Sequence, residues 1–581
     1  MAGYRAPREE FAFVLHDVFR VHERTDLPGY AELTPEFTAA VIDGAATICE
    51  ERLQPLNRVG DEVGCRFEHG EVHTPTGFRD AYRDYVEGGW PALGFDPRWG
   101  GQGLPHVLSL PVSEMLVSAN MGFSGYIDIT QAACALLEVH GTAEMQAVYL
   151  PPMVSGRWSG AMHLTEPQAG SDVGLVRARA RPAGDGRWRI DGSKIFITGV
   201  DHDLSENVVN LVLARVDGAP PGSKGLSLFL VPKFLPDADG RPGVRNGVIV
   251  TGVEHKMGVR ASATCAVNYE GATGWMIGEP GHGLRTMFTM INDTRLGVGV
   301  QGLGIAEVAM QNAVSYARER LQGRAPGGAA APQLPADPIV HHPDVRRMLA
   351  TMKAFVEPGR ALALWTAMQL DTARRHPDAA RREQAEDSVA LLTPVIKSHF
   401  TEMGFEVANL ALQCFGGHGY IREWGIEQFV RDIRIGQIYE GTNGIQGLDL
   451  ALRKIHHHGG EAVEAHFRRL ELARAQAAAD PLTAALAPPF GACVQVLRRA
   501  TDEMRALRDT RPQALAAGAG DYLHLFALAT LGWMTLELAR TDRSGTRTRL
   551  AAFTLQRAQA EATMLAARAA SDAQTLAGVE L

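Results

Sequence analysis

At 581 residues the chain is too long for a single hydrophobic core, and 45% apolar with 21% charged residues is the composition of a well-packed globular protein of several domains. A net charge of −9 leaves no large basic surface and argues against nucleic acid as a partner. Cys49, Cys65, Cys134, Cys265, Cys414 and Cys493 stand far apart with no CxxC pair, so zinc ribbons, thioredoxin-type chemistry and a disulfide framework are not expected.

Met1 to Glu10 carries acidic residues and Pro7 but not the basic, apolar and small-residue segments of a secretory signal, and the expected location is cytoplasmic. Residues 1–33 are read as an N-terminal extension. From Thr34 the pattern turns helical: Glu36 to Leu56 spaces apolar residues by three and four, and Pro35 suits a first helical turn. Val107 to His140 continues the pattern, and Gly141 with Thr142 marks a stop and a fresh start, so 34–159 is expected to be a helical domain. Around Ser159 the period changes. Trp188-Arg189-Ile190 and Lys194 to Thr198 predict two strands joined by a tight Asp191-Gly192 turn, with further strands at Val208 to Val216 and Leu226 to Val231. Turn formers fill 218–225 and 236–243, so 160–282 predicts a small antiparallel β-domain.

Helical periodicity returns over Leu303 to Leu321, Asp344 to Arg375 and Ala385 to Phe415, with a Pro/Gly/Ala-rich surface loop at 325–338, and 283–460 is read as a second helical domain. Beyond Gly460, Ala, Leu and Arg dominate, and 461–581 predicts an appended bundle with helices near 461–478, 482–509, 514–540 and 545–577. Tyr522 to Ala539 is the most apolar stretch, but His524 and Glu537 interrupt it, so it predicts a buried bundle helix and no transmembrane segment; peripheral contact with a membrane stays open. The fold class is mainly α with a central small antiparallel β-domain and an appended C-terminal helical bundle.

Two strings mimic functional motifs. Gly297-Val298-Gly299-Val300-Gln301-Gly302 satisfies GxGxxG but lies inside a helical pattern, where close helix packing explains it better than a dinucleotide loop. His456-His457-His458 has no carboxylate or cysteine motif beside it, and adjacent residues on a helix point apart, so a solvated helix end is expected and no metal.

Three segments stand out: Leu164-Thr165-Glu166-Pro167-Gln168-Ala169-Gly170-Ser171-Asp172; Lys194-Ile195-Phe196-Ile197-Thr198; and Gln413-Cys414-Phe415-Gly416-Gly417-His418-Gly419-Tyr420, followed by Arg431-Asp432 and Gln437-Ile438-Tyr439-Glu440-Gly441-Thr442-Asn443. The glycines of the third let backbone N–H groups approach a pyrophosphate closely. Helices, a small β-domain, then helices, with these segments in this order, resembles the acyl-CoA dehydrogenase family over roughly 34–460. Tyr4 to Val21 and the helices after Gly460 resemble the larger bacterial branch that includes the 3-methylmercaptopropionyl-CoA dehydrogenases.

The resemblance implies FAD as cofactor. It gives Leu164 and Thr165 backbone or hydroxyl hydrogen bonds to the flavin ring, turns Phe196 and Thr198 toward that ring, and assigns Ser171 to the pantetheine arm of CoA. Phe196 stands where relatives more often have Trp, so it can stack on the flavin but offers no indole N–H. Gln413 and Gly417, joined by Arg320 and Gln322, are the candidates for the pyrophosphate, and Thr442 is a further FAD contact. In the family the pyrophosphate contacts come partly from a neighbouring subunit, which implies a homodimer or larger homo-oligomer. Asn292, Arg295 and Gly441 fall on the substrate side, Arg295 near the catalytic carboxylate; a surface ion pair with Asp293 or another acid is the alternative for that arginine.

Oxidising an acyl thioester between Cα and Cβ requires a base for the weakly acidic α-proton and an acceptor for the β-hydride. The resemblance assigns Glu440 as the base and flavin N5 as the acceptor. Some relatives carry the base on an earlier helix, at a position aligned with Thr294, and a threonine cannot serve there. The thioester oxygen would be held by the Glu440 N–H and a flavin ribityl hydroxyl. The implied activity is dehydrogenation of an acyl-CoA to the trans-2-enoyl-CoA in fatty acid β-oxidation, with an electron-transferring flavoprotein as electron acceptor. An acyl-CoA oxidase or flavin monooxygenase on the same fold, and a non-catalytic acyl-CoA-binding or assembly protein, are the alternatives.

Overall fold

A computed structural model describes residues 3–570 and 576–580. The main helices in chain order are α1 (Pro35–Ile48), α2 (His106–His140), α3 (Ala143–Val154), α4 (Gly283–Glu319), α5 (Pro343–Arg375) and α6 (Ala379–Phe415). They continue as α7 (Asn443–Leu452), α8 (Glu461–Ala479), α9 (Ala487–Thr510), α10 (Pro512–Thr541) and α11 (Thr546–Ala569). Between α3 and α4 lie strands β1 (Trp158–His163), β2 (Arg179–Gly184), β3 (Arg187–Thr198), β4 (Asn207–Val216), β5 (Leu226–Pro232), β6 (Val248–Val253) and β7 (Thr264–Ile277). The chain divides into two compact units: one holds Thr47–Leu104 and Ala119–Gly297, the other the residues up to Ala46, Pro105–Ser118 and everything from Val298 onward.

The unit built around the sheet has the strand order β6-β7-β3-β2-β4-β1, and β5 pairs with both β7 and β4, so five strands close on themselves. Most pairs are antiparallel as expected. β1 with β4 and β2 with β4 are parallel, because the chain returns to β4 by crossovers and not by hairpins. The expected turn at Asp191-Gly192 is absent: β3 runs unbroken through it, Gly192 (φ 139°) lying where a Cβ would meet the Ala178 Cα at 2.8 Å. The reversal sits at Gly184, Asp185 and Gly186, three consecutive positive-φ residues, a stronger turn than one Asp-Gly pair inside a β-rich run. Asn120 breaks α2 (φ −162°, ψ 90°); its Oδ1 accepts from the Phe123 N–H, recapping the helix, while its Nδ2 donates to the Leu53 carbonyl. Thr142 caps α3, as Gly141-Thr142 suggested, its hydroxyl oxygen accepting from the Met145 N–H.

In the other unit α4 and α6 approach closely through glycines: a Cβ at Gly299 would meet Ile396 Cγ2 at 2.5 Å, and one at Gly302 the Phe400 carbonyl oxygen at 2.2 Å. The GxGxxG string is therefore a packing device, as its helical setting indicated. Helices α8 to α10 form where expected, α9 starting late because Pro488 suits only a first turn. The last expected helix stops at Ala569 in α11; its continuation over 571–575 lies outside the described residues. By length and composition α10 could cross a membrane, but its apolar residues are largely buried against α5, α7, α9 and α11. The 325–338 loop is organised by a buried side chain: Asp337 accepts from the N–H groups of Ala325, Ala330 and Ala331, which, with Arg324, hold its carboxyl well below the usual carboxylate range.

Candidate active site

In the sheet unit the predicted flavin residues share one region. At the register shift between Cys265↔Ile197 and Val267↔Lys194, Ile195 and Phe196 together face Ala266, a β-bulge of the kind that re-aims a side chain. Phe196 takes the left-handed conformation (φ 59°) and is 60% exposed, an arrangement unfavourable to an aromatic in both backbone and solvation. The loop from Leu164 is fastened to the same strand. Lys194, fully buried, donates to the Leu164 carbonyl (3.0 Å) and to Glu166 Oε1 (2.9 Å), and the Ile195 N–H donates to the Thr165 carbonyl (3.0 Å). With both carbonyls committed, a flavin would be met by the Thr165 hydroxyl or by amide N–H groups. Burial pushes the Lys194 amine down to about 8 despite Glu166 beside it. For Glu166, burial is outweighed by Lys194 and the N–H groups of Arg177 and Ala178, and its carboxyl is lowered. Thr198 pairs with Thr264 two residues beyond Phe196, and Ser171 is exposed on the loop.

The substrate-side candidates of this unit differ in setting. Asn292 is exposed, and the Thr294 hydroxyl donates to the Ile291 carbonyl (3.0 Å), a helix-internal bond. Arg295 is only 8% exposed and lies over the Phe288 ring, so it is a buried and not a surface arginine.

In the helical unit the Gly416-Gly417 turn ends α6, and nothing lies within 4 Å of where a Cβ would sit at either glycine. Gln413 and Gly417 are exposed there. Tyr316 on α4 stacks on Phe415 (4.1 Å) and its hydroxyl meets His418 Nδ1 (3.0 Å), which holds the end of α4, with exposed Arg320 and Gln322, beside this turn. Open glycine backbone at the end of α6, and an exposed guanidinium and amides on the same unit, are groups that suit a pyrophosphate. An exposed aromatic and a hydroxyl-bearing loop in the sheet unit fit a flavin ring.

The segment before α7 carries the predicted base. Glu440 (φ 56°) and Gly441 (φ 82°) are both left-handed, and Thr442 caps α7 by accepting from the Ile445 N–H (3.4 Å), so its hydroxyl oxygen already has a structural task. The Tyr439 hydroxyl donates to Gln301 on α4. Lys397 on α6, also fully buried, donates to the Gly441 carbonyl (2.7 Å) and to Asn443 Oδ1 (3.0 Å). Sequence reasoning gives no role to Lys194, Glu166 or Lys397. The readable signal was a lysine inside an apolar run, as in Val395-Ile396-Lys397, which a soluble protein buries only with partners.

The histidine string departs from expectation. The backbone leaves the helix at His457 (ψ 137°) and His458 (φ 46°), so the two rings stack at 4.0 Å and both face Asp387, at 3.5 and 3.2 Å. Their ligand atoms and that of Asp387 lie within 4.8 Å of one another, a carboxylate that sequence spacing could not supply. All six cysteines are free.

One consequence of the strain at residue 196 is measurable. Phe196→Gly removes a left-handed side chain with little burial to lose, so the flavin-free protein should gain about 1 kcal/mol while flavin retention falls. Thermal unfolding of flavin-free protein, together with flavin content after gel filtration, checks both parts.

Three family models match: acyl-CoA dehydrogenase N-terminal domain over residues 36–157, middle domain over 161–272 and C-terminal domain over 281–455. The 3-methylmercaptopropionyl-CoA dehydrogenase of Ruegeria pomeroyi is 42% identical over 535 residues, covering 91% of this chain and 90% of that protein. The broad-specificity linear acyl-CoA dehydrogenase FadE5 of Mycobacterium tuberculosis is 40% identical, over 78% of this chain and 76% of its own length. Among solved structures, an acyl-CoA dehydrogenase complexed with FAD from Bacillus anthracis shares the fold with a TM-score of 0.73 at 20% identity, covering 96% of this chain and 90% of that one. With all three family domains matched in order and a relative this similar over nine-tenths of both chains, the protein belongs to the acyl-CoA dehydrogenases, a family of FAD-dependent oxidoreductases.

Proposed function

We propose that the protein oxidises an acyl-CoA thioester to the trans-2-enoyl-CoA, with Glu440 taking the α-proton. FAD, when bound, supplies the hydride acceptor at N5. The chain's residues do the rest. Leu164, Thr165, Phe196 and Thr198 would bind and orient the ring, and Arg320, Gln322, Gln413, Gly417 and Thr442 the rest of the cofactor. Ser171, Asn292, Arg295 and Gly441 would hold the substrate. The observation that carries the reading is the left-handed backbone at Glu440, in a loop pinned at Tyr439, Gly441 and Asn443. A glutamate accepts that conformation only where surrounding bonds enforce it, and such strain clusters at working sites. A carboxylate held beside an alkyl chain has its proton affinity raised toward the range a base needs.

An electron-transferring flavoprotein as acceptor, a homo-oligomeric assembly and a cytoplasmic location complete the proposal. The relative named for 3-methylmercaptopropionyl-CoA makes a thioether-bearing acyl chain one substrate to test beside straight chains. Purified protein with bound flavin should lose its visible absorbance, without oxygen, on addition of at least one of the butanoyl, octanoyl, palmitoyl or 3-methylmercaptopropionyl thioesters of CoA. No bleaching with any of them would leave a non-catalytic binding protein as the better reading. Timed readmission of oxygen separates a dehydrogenase, slow to reoxidise, from an oxidase.

A further inference from the structure

The base loop is held from outside by residues that no part of the reaction needs for contact with substrate. Its two left-handed residues expose two carbonyls to the unit's interior, and both are taken. Gln446 Nε2, on α7, donates to the Glu440 carbonyl (3.3 Å) and to the Gly441 carbonyl (3.1 Å). Lys397 Nζ donates to the same Gly441 carbonyl at 2.7 Å. The Gln446 amide is committed in this sense at a cost: its Oε1 is buried with no hydrogen-bond partner among the described residues. Two donors on one carbonyl, one from a fully buried lysine, leave the loop little freedom to relax.

The clamp extends further. Asn443, which accepts from Lys397, donates through Nδ2 to the Ser398 carbonyl (3.2 Å) and to Glu402 Oε1 (2.9 Å). The other oxygen of Glu402 meets His524 Nε2 at 2.9 Å. His524 lies on α10, in the appended helices, whereas Lys397 and Glu402 are on α6. A continuous run of polar contacts therefore joins α10 to the residue beside the base.

We infer that Lys397 is the positioning residue for the Glu440 carboxylate, and that the appended helices complete its clamp through His524, Glu402 and Asn443. This rests on the reading of Glu440 as the base. The chemical logic is geometric: a misplacement of about 1 Å can cost on the order of 100-fold in rate, and a left-handed glutamate freed from its carbonyl anchors returns to a commoner conformation with its side chain re-aimed. Sequence gives the lysine no such role, because Lys397 is 44 residues from Gly441.

The test is anaerobic stopped-flow bleaching of the flavin-bound protein by whichever of the four thioesters bleaches the native protein fastest. Amplitude reports the fraction correctly folded, and the rate constant per bound flavin reports the geometry at the base. Lys397→Met should lower that rate constant about 100-fold, leave the substrate concentration for half-saturation within about twofold, and enlarge the α-deuterium isotope effect. A merely structural lysine would lower amplitude and leave the rate constant alone. Should Lys397→Met lose its flavin, Gln446→Leu decides, since it keeps the lysine and removes the second donor; a native rate constant there overturns the inference. So does a native rate constant in flavin-replete Lys397→Met. Bleaching of Glu440→Gln at the native rate is a different failure, because it removes the base itself whatever the lysine variant does.

Discussion

Glu440→Gln should fold, bind FAD and bind acyl-CoA as the native protein does, and bleach about 10,000-fold more slowly, the upper end of what a single positioned base contributes and about 5.5 kcal/mol of barrier. The substitution keeps the shape of the side chain, and the bonds from Lys397 and Gln446 to the carbonyls of residues 440 and 441 do not depend on its charge, so these anchors of the loop survive. What disappears is the proton acceptor. The earlier-helix position used by some relatives holds Thr294, whose hydroxyl is tied to the Ile291 carbonyl, and it supplies no second base. Single-turnover bleaching checks the size of the loss; a rate constant within tenfold of native would remove Glu440 from the mechanism.

The second large effect concerns stability below neutral pH. His163, His202 and His466 are buried neutral, and burial lowers each to about 3. Named partners fix the neutral form. Tyr269 donates its hydroxyl to His163 Nδ1, and His163 Nε2 faces Asn210 Oδ1, whose amide nitrogen is already spent on the Val231 carbonyl. His202 Nδ1 accepts from the Leu204 N–H and its Nε2 meets Ser159. His466 Nε2 meets the Thr530 hydroxyl, whose proton goes to Phe526. Between about pH 6.5 and 3 the unfolded chain binds protons that the native one refuses, so stability falls as pH falls. At about pH 5.5 each histidine costs about 1.4 kcal/mol, hence about 3 kcal/mol in the unit holding both His163 and His202. Calorimetry should show its melting point lower by on the order of 10 °C at about pH 5.5 than at about pH 7.5. A melting point unchanged across that interval would mean these imidazoles protonate in place. His466→Phe, stacked like the native ring on Phe526, should remove one histidine's share of the slope in its own unit.

Where tertiary context agreed with local pattern, the elements were readable: Pro35, Thr142 and the apolar spacing of α4 to α6 lead to the helices observed. The Asp191-Gly192 turn failed for a physical reason. Gly192 is there to let Ala178 of the neighbouring strand approach, and a glycine needed for proximity reads the same in one dimension as a glycine needed for reversal. The solvated setting of the histidine string was readable, but its convergence on Asp387 was not, since Asp387 arrives from a helix some seventy positions earlier. The candidate site was legible as motifs, because a flavin enzyme needs glycines, hydroxyls and a carboxylate in contiguous loops. Its supports were not: Lys194 and Lys397 reach their carbonyls from separate strands and helices, across separations that no spacing rule encodes.

The amino-acid sequence by itself determined the layout of helices around a small sheet, through periodicity, and the family with FAD as its cofactor, through the resemblance of short contiguous motifs in their order. Only the tertiary structure decided that Phe196 bulges outward into solvent, that Glu440 is left-handed, and that buried Lys194 and Lys397 fasten the loops at Leu164 and Gly441. Backbone conformation at a single residue costs too little to be written in local propensity. It is imposed by partners distant in the chain, and those partners exist only once the chain has folded.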